Sequence, residues 1–209
     1  MTESEIPTMG LRERKKMQTR RTIRGAALDL AIELGLENLT VEAIADAANI
    51  SPRTFFNYFA HKEDALVTDA AAAAVALRPH IVARPPHESP LHAVRAVITE
   101  YDPFSLVNAD RKRALARQKL VQENPRLLAR QLGAYAILEA EFAQAVAERL
   151  DVDPEADLRP ALVASVAAAA MRVAVTRWTA DDSVQLTELL VACFDELEGG
   201  LLVAGTDTG

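Results

Sequence analysis

Two short amphipathic patterns follow one another in the first third of the chain, and each carries its own helix start signal. Thr40 occupies an N-cap position, with Leu39 and Ile44 placed on either side of it as a hydrophobic staple. Ser51 caps the second pattern, and Pro52 follows at the first helical position, where a missing N–H costs nothing. The two caps predict two short helices in close succession.

The corner between these helices falls at Asn49, a residue type that tolerates the left-handed backbone ending a helix. Ala45 and Ala48 are small enough to let the two helices cross closely. Apolar bulk in the second helix is expected from Phe55, Phe56 and Phe59, which leaves Arg53, Thr54, Asn57 and Tyr58 for a partner. Residues 40–59 therefore have the pattern of a helix-turn-helix motif that reads DNA. The alternative is an ordinary helical hairpin with a solvated polar face.

The rest of the chain shows helical periodicity and no strand alternation. A first helix is predicted from the stripe Ile23, Ala27, Leu30, Ala31 and Leu34, with Gly35 at its end. Further helical patterns cover residues 91–101, 105–122, 125–150, 155–178 and 183–199, with prolines near several of their starts. The segment 78–90 contains four prolines and is predicted as a linker. We therefore predict an all-α protein, with a three-helix N-terminal domain followed by a helical bundle.

Charge is distributed unevenly along the chain. The segment between Gly10 and Gly25 contains seven basic residues and one acidic residue, whereas the whole chain has a net charge of −7 and a pI near 5.2. An acidic protein is not a general coat for nucleic acid, because nonspecific binding needs positive charge spread over a surface. A basic N-terminal arm can instead follow phosphates beside a helix in the major groove. The alternative is a solvated basic tail.

Several classes of protein are disfavoured by what the sequence lacks. Cys193 is the single cysteine, so no intrachain disulfide can form, and its place in an apolar stripe predicts a buried structural thiol. The acidic start, Met1 to Pro7, does not resemble a signal peptide, and the longest apolar run, Ala161–Met171, is too short to cross a bilayer. We therefore expect a cytoplasmic protein with no membrane partner.

Enzymatic chemistry finds no support in the residue pattern. The four histidines show no zinc-ligand or catalytic-triad spacing, and there is no glycine-rich phosphate loop. We therefore predict no catalytic residues, no metal site and no cofactor. An enzyme built on a helical bundle remains a remote alternative.

Residues 19–66 resemble the TetR family of transcriptional repressors. The resemblance rests on the first helix TRRTIRGAALDLAIELG, the core TVEAIADAANIS, the segment FFNYF and the following HKEDAL. Two positions depart from the family pattern: Asn49 replaces the usual glycine at the turn, and Phe56 replaces a tyrosine whose hydroxyl meets a phosphate in many relatives. Asn49 can adopt the glycine's conformation, whereas Phe56 cannot donate that hydrogen bond. Tyr58 could take over part of it.

The resemblance implies roles for individual residues. Thr40, Tyr58 and Lys62 would hold the DNA backbone, and Arg53, Thr54 and Asn57 would face base edges. Guanine for arginine and adenine for asparagine are the pairings that geometry favours. The predicted DNA contacts also include Arg20, Ser51 and His61. The predicted division is a flexible basic arm over residues 1–16, a helix-turn-helix domain over 17–77, and a ligand-binding and dimerisation domain over 78–209.

The last two helices are predicted to form a dimer interface. The small apolar residues of 161–175 and the final stripe Leu186, Leu189, Leu190, Cys193, Phe194 and Leu197 permit close packing. A twofold dimer would place two reader helices on a palindromic DNA operator, at half-sites about 34 to 36 Å apart. The alternative is that both helices pack only into their own core.

The remaining helices could enclose an effector pocket. Candidate lining residues are Phe104, Tyr135 and Phe142, which could equally be core, and Arg172, which interrupts an apolar helix and would need an anionic partner if buried. That partner could be a ligand, an acid across the dimer interface, or solvent. The segments QENPRLLARQL, AEFAQAVAERLDVDP and VAVTRW resemble the ligand domain of a TetR subgroup thought to bind acyl-coenzyme-A-like molecules. The resemblance implies a repressor released by a bulky amphipathic anion; the alternative is a constitutive or architectural DNA-binding protein without an effector.

Overall fold

The computed structural model describes residues 11–67, 69–100, 110–181 and 183–201. Within these ranges every regular element is a helix, which confirms the predicted all-α class. The α-helices are Leu11–Leu34 (α1), Val41–Ala47 (α2), Pro52–Phe56 (α3), Ala70–Ala83 (α4), Pro90–Glu100 (α5), Arg111–Glu123 (α6), Pro125–Leu150 (α7), Arg159–Ala180 (α8) and Leu186–Glu198 (α9). Two 3-10 helices cover Leu36–Asn38 and Lys62–Ala65.

The two predicted N-caps and the turn between α2 and α3 are confirmed. The Thr40 hydroxyl accepts a hydrogen bond from the Ala43 N–H at 3.1 Å, and the Ser51 hydroxyl accepts one from the Thr54 N–H at the same distance. Asn49 has a φ of 53°, the left-handed conformation that an asparagine adopts at low cost. The helix-turn-helix geometry thus follows from local sequence signals.

The chain forms two compact units whose limits differ from the predicted division. Unit 1 comprises residues up to 68 together with 116–130, and unit 2 comprises 69–115 and everything from 131 onward. Helix α4 therefore belongs to unit 2, and the end of α6 and the start of α7 belong to unit 1. The predicted linker 78–90 is also shorter than expected, because α4 continues through Pro79 to Ala83.

Unit 1 has a core built mainly by α1, α2 and α3. Ile23, Ala27 and Ala31 of the predicted α1 stripe are buried, whereas Leu34 at the end of that stripe is 42% exposed, contrary to the prediction. Two residues from much later in the chain, Val121 and Leu127, are also fully buried in this core. The reader domain is therefore completed by residues that the sequence pattern assigned elsewhere.

Unit 2 is a helical bundle with Phe142, Trp178 and Phe194 among its buried side chains. By length and mean hydropathy α8, alone among the described helices, could cross a bilayer, so its apolar stretch is longer than the sequence suggested. Its buried alanines and Trp178 pack instead in the core of unit 2. Cys193 is half-buried against the same core, and this burial raises the pKa of its thiol.

Candidate nucleic-acid interface

Helix α3, the second helix of the motif and the predicted recognition helix, places its neighbouring aromatic residues on opposite sides. Phe55 is fully buried in unit 1, and its ring meets that of Phe56 edge-on with centroids 5.6 Å apart. Phe56 itself is 57% exposed, so its prediction as apolar bulk for the core was wrong. Arg53 and Asn57 are exposed as well, and the spacing 53, 56, 57 puts all three on one helix face. An exposed face of one guanidinium, one phenyl ring and one amide results.

The helical pattern missed the exposure of Phe56, because three phenylalanines in five residues suggested a core, although the family resemblance placed this position at a phosphate. The signal that could have found it is positional. Phe56 stands three residues after Arg53 and directly before Asn57, both of which were placed on the partner-facing side. Phe55 and Phe59, four residues apart, are the two that share the buried face.

The hydroxyl residues of the predicted DNA-contacting set have a structural task in the free protein. Thr40 and Ser51 are exposed and cap their helices, as described above. The Ser51 and Thr54 hydroxyls also lie 2.9 Å apart and share a hydrogen bond. Because Thr54 is half-buried, it presents less of its side chain than Arg53 does. These hydroxyls lie at the start of the recognition helix, beside the exposed face.

Tyr58 and His61 lie just after the recognition helix. Tyr58 is half-buried and packs against the unit 1 core, while His61 is exposed. The His61 N–H donates to the Asp64 carboxylate at 2.9 Å, and the same carboxylate accepts a hydrogen bond from Arg130 at 2.6 Å. This local network fixes the chain where it leaves the reader motif.

Arg20 and Lys62, the remaining predicted DNA contacts, are both half-buried and turned toward backbone carbonyls of unit 1. Arg20 donates to the Tyr58 carbonyl at 2.9 Å. Lys62 donates to the carbonyls of Leu36 and Leu39, at 3.2 and 2.7 Å. Whether they also touch DNA stays a prediction, and their position in the free protein gives them another task.

The basic segment begins differently from the predicted arm. Helix α1 starts at Leu11, so residues 11–16 are helical and not part of a flexible arm; residues 1–10 lie outside the described ranges. Lys15, Lys16 and Arg21 are exposed on this helix. Arg24 turns inward and donates to the carbonyls of Asp64 and Val67. Some side chains of the basic segment are thus exposed, whereas Arg24 is used inside unit 1.

The predicted effector residues have different environments in the structure. Phe104 lies outside the described ranges. Tyr135 is half-buried on α7, and Phe142 is fully buried in the unit 2 core. Arg172 is exposed on α8, so the premise of a buried guanidinium that needs an anion does not hold. Of the three partners considered for Arg172, solvent and an interface are compatible with this position.

The two C-terminal helices differ in what they leave exposed. On α8, Leu162 and Val173 are 55% and 49% exposed, and Ser165 and Thr176 continue the same side of the helix. On α9, Leu186, Leu190 and Phe194 are buried within unit 2, so much of the stripe predicted for dimerisation serves the protein's own core. Of these two helices, α8 therefore offers most of the exposed apolar surface.

These features define a class of protein: an all-α DNA-binding protein with a helix-turn-helix reader in one unit and a helical bundle in the other. The family model for bacterial regulatory proteins of the tetR family matches residues 23–67, and the model for the MftR C-terminal domain matches residues 88–202. The chain belongs to the TetR family of transcriptional regulators, which confirms the predicted resemblance.

Two relatives match most of the chain. The HTH-type transcriptional regulator TcmR of Streptomyces glaucescens is 36% identical over 187 residues, which cover 88% of this chain and 83% of TcmR. MftR of Mycobacterium tuberculosis, a transcriptional regulator assigned to mycofactocin biosynthesis, is 29% identical over 188 residues, 90% of this chain and 93% of MftR.

A solved structure shares the fold. It is that of FadR from Thermus thermophilus, a TetR-family repressor in complex with lauroyl-CoA, with a TM-score of 0.50 and 24% identity over 91% of this chain and 98% of FadR. At this level of identity the likeness concerns the fold alone.

Proposed function

We propose that two copies of this regulator bind a palindromic operator and repress transcription until a small-molecule effector releases them. The observation that carries the DNA-binding part of this proposal is the exposed face of α3. It offers a guanidinium, a phenyl ring and an amide at helical spacing, next to two capped helix starts. A helix of this kind inserts its side chains into the major groove.

Each side chain of that face suits a different base edge. The Arg53 guanidinium matches the two acceptors of guanine, and the Asn57 amide matches the acceptor and donor of adenine. The Phe56 ring suits the methyl group of thymine. Hydroxyl and imidazole groups of Thr40, Ser51, Tyr58 and His61 would reach phosphates on either side, with Thr54 beside the base-reading residues. This assignment distinguishes a base-reading face from a phosphate-binding border.

The dimer part of the proposal is supported by the exposed side of α8. A leucine and a valine about half exposed on one helix leave apolar surface that a second copy would cover. Ala161, Ser165 and Ala169 lie on this side of α8 and are small enough to permit close approach of two helices. A twofold arrangement would also present two α3 helices to two half-sites. Membership of the TetR family, whose regulators act as dimers, points the same way.

The effector part of the proposal rests on comparison with known proteins more than on the geometry of this structure. The match to the MftR C-terminal domain, residues 88–202, covers most of unit 2, and the FadR that shares this fold holds lauroyl-CoA. An acyl-coenzyme-A-like amphipathic anion is therefore the first effector to test. Tyr135 and the undescribed Phe104 stay candidate contacts, whereas Phe142 contributes to the packed core. Such a regulator operates in the bacterial cytoplasm.

Fluorescence anisotropy on labelled DNA from upstream of the protein's own gene tests the DNA-binding and effector parts of the proposal. Binding at physiological salt should be tight and lost on a scrambled duplex of equal length. Adding lauroyl-CoA should release the DNA, whereas free coenzyme A and lauric acid serve as controls for the two parts of that ligand. Binding that is tight but indifferent to every acyl-CoA would favour a constitutive or architectural regulator. Equal binding to operator and scrambled DNA would contradict the reader assignment.

A further inference from the structure

Arg20 lies on α1 but acts on the end of the recognition helix. Its guanidinium donates to the Tyr58 carbonyl at 2.9 Å and lies 4.5 Å from the centroid of the Phe59 ring. Tyr58 and Phe59 immediately follow α3 and its C-cap residue Asn57. The Tyr58 carbonyl lies two residues past the last residue of α3. Arg20 therefore supplies a donor to the backbone directly after this helix.

Lys62 makes an equivalent contact at the other helix of the motif. Its ammonium donates to the carbonyls of Leu36 and Leu39, the first residue of a 3-10 helix and the residue that caps its end. Leu39 directly precedes Thr40, the N-cap of α2. Lys62 therefore ties the segment after α3 to the segment before α2. Together the two cations hold the helix-turn-helix motif by its backbone at both of its ends.

A cation held in this way is poorly placed to bind a phosphate. Two of the three ammonium donors of Lys62 already serve carbonyls, and both side chains are half-buried. Reaching DNA would cost these contacts. Lys15, Lys16 and Arg21 are exposed on α1 and carry no such restriction. The cations of unit 1 thus include two groups, those held by backbone carbonyls and those exposed on α1.

We propose that Arg20 and Lys62 are positioning residues that orient the recognition helix through backbone carbonyls, and that phosphate neutralisation falls to exposed cations such as Arg21. The proposal rests on the proposed DNA-binding function and deepens it. It gives a different task to Lys62, which the family resemblance places at the DNA backbone, and to Arg20, which was predicted as a further DNA contact. Its consequence is that sequence discrimination and salt dependence depend on different cations.

The salt dependence of operator binding tests this division. Each phosphate contact contributes about 0.9 to the slope of log K against log salt. Arg21→Gln should therefore reduce the slope by about 1.8 in a two-copy complex. Arg20→Gln and Lys62→Gln remove the charge but keep amide donors for the carbonyls, so their slopes should stay at the wild-type value. Arg20→Ala and Lys62→Ala remove the donors and should lower the ratio of operator to scrambled-DNA affinity about tenfold, again at unchanged slope.

A slope lowered by Arg20→Gln or Lys62→Gln as much as by Arg21→Gln would overturn the proposal for that residue. A wild-type protein that binds operator and scrambled DNA alike would contradict the proposed function instead. Urea unfolding without DNA then still tests the positioning contacts: Arg20→Ala should unfold at lower urea than its neighbour Arg21→Ala. Equal midpoints for these two variants would mean that the Arg20 contact does not hold the motif.

Discussion

At the scale of single residues, Phe55 and Phe56 show how adjacent aromatic side chains take opposite tasks. Phe55 is fully buried, and Phe56 leaves more than half of its surface exposed beside Arg53 and Asn57. An exposed phenyl ring gains about 25 cal/mol for each Å² that a partner covers. Arg53 and Asn57 on the same face are polar, so this gain in free energy arises only where the DNA places an apolar group against the Phe56 ring. The thymine methyl is such a group in the major groove.

Phe56→Ala should abolish the preference of the protein for a thymine methyl. Replacing each operator thymine in turn by uracil removes only that methyl, and wild-type binding should weaken by about 0.8 kcal/mol at the contacted position. The alanine variant should bind the thymine and uracil operators alike. Anisotropy titrations of the four combinations measure this coupling. If the substitution weakens binding to operator and to scrambled DNA by the same factor, Phe56 contacts the sugar–phosphate backbone.

Arg53→Ala should relax base preference at one position of each half-site. A bidentate arginine–guanine pair contributes about 1 to 3 kcal/mol of discrimination. Binding to operators with each base in turn at every position would locate the relaxed position. Phe56→Ala serves as the matched control, because it alters the same helix face and should leave the guanine preference intact. An unchanged base preference in the Arg53 variant would remove it from the reading group.

The helix caps and Asn49 could be predicted from sequence because each depends on residues only a few positions away. The exposure of Phe56 could also have been predicted from its spacing to Arg53 and Asn57, but three phenylalanines in five residues suggested a core instead. The contacts of Arg20 and Lys62 could not, because the carbonyls that they meet lie 23 to 38 residues away in the chain. Their charge and place suggested DNA, and only the fold shows the carbonyls that they meet.

At the scale of elements, the corner between α2 and α3 depends on one backbone conformation. Asn49 has a positive φ, which a residue with an ordinary Cβ adopts at a cost. The next residue, Ile50, packs against the unit 1 core, and its N–H donates to the Ala45 carbonyl at 2.9 Å. The corner therefore fixes both the end of α2 and the direction of α3.

Asn49→Ala should lower the free energy of unfolding by about 1 kcal/mol, because alanine is disfavoured in the left-handed region. Asn49→Gly is the matched control and should leave stability within a few tenths of a kcal/mol, since glycine adopts that region freely. Chemical unfolding followed by circular dichroism measures both. Equal losses in the two variants would indicate that the asparagine side chain, and not the backbone, supports the corner.

Helix limits were predictable where caps or prolines mark a start. The limits of α7 agree with the predicted 125–150. Helix α4 shows the opposite case, because Pro79 lies inside it although proline normally interrupts a helix. Leu77 and Ile81, on either side of Pro79, are both buried in the unit 2 core. Packing on both sides holds the helix through the proline, and sequence alone does not reveal such packing.

At the scale of the whole molecule, the proposed dimer depends on the exposed side of α8. Leu162→Glu should raise the dimer dissociation constant by about a hundredfold or more, because burying an unpaired charge costs at least roughly 3 kcal/mol. Leu132→Glu on α7 is the matched control, since Leu132 is 57% exposed and Leu162 is 55% exposed. Sedimentation velocity over a range of concentrations distinguishes the two. Dissociation caused by Leu132→Glu and not by Leu162→Glu would move the interface to α7.

The division of the chain into units was the least predictable property. A proline-rich segment suggested a boundary near residue 78. The chain instead passes from one compact unit to the other after residues 68, 115 and 130. Composition records where a chain is locally polar or rich in proline. It does not record that Val121 and Leu127, far along the sequence, will fill a core begun by Ile23.

That late contribution has a consequence for synthesis. A domain at the start of a chain ordinarily folds as soon as it leaves the ribosome, at a synthesis rate of about 5 to 20 residues per second. Unit 1 cannot close its core in this way, because residues 116–130 belong to it. The ribosome needs about 3 to 12 s to translate from residue 68 to residue 130. During that interval the nascent reader motif lacks Val121 and Leu127 of its core, and we expect it to bind chaperones.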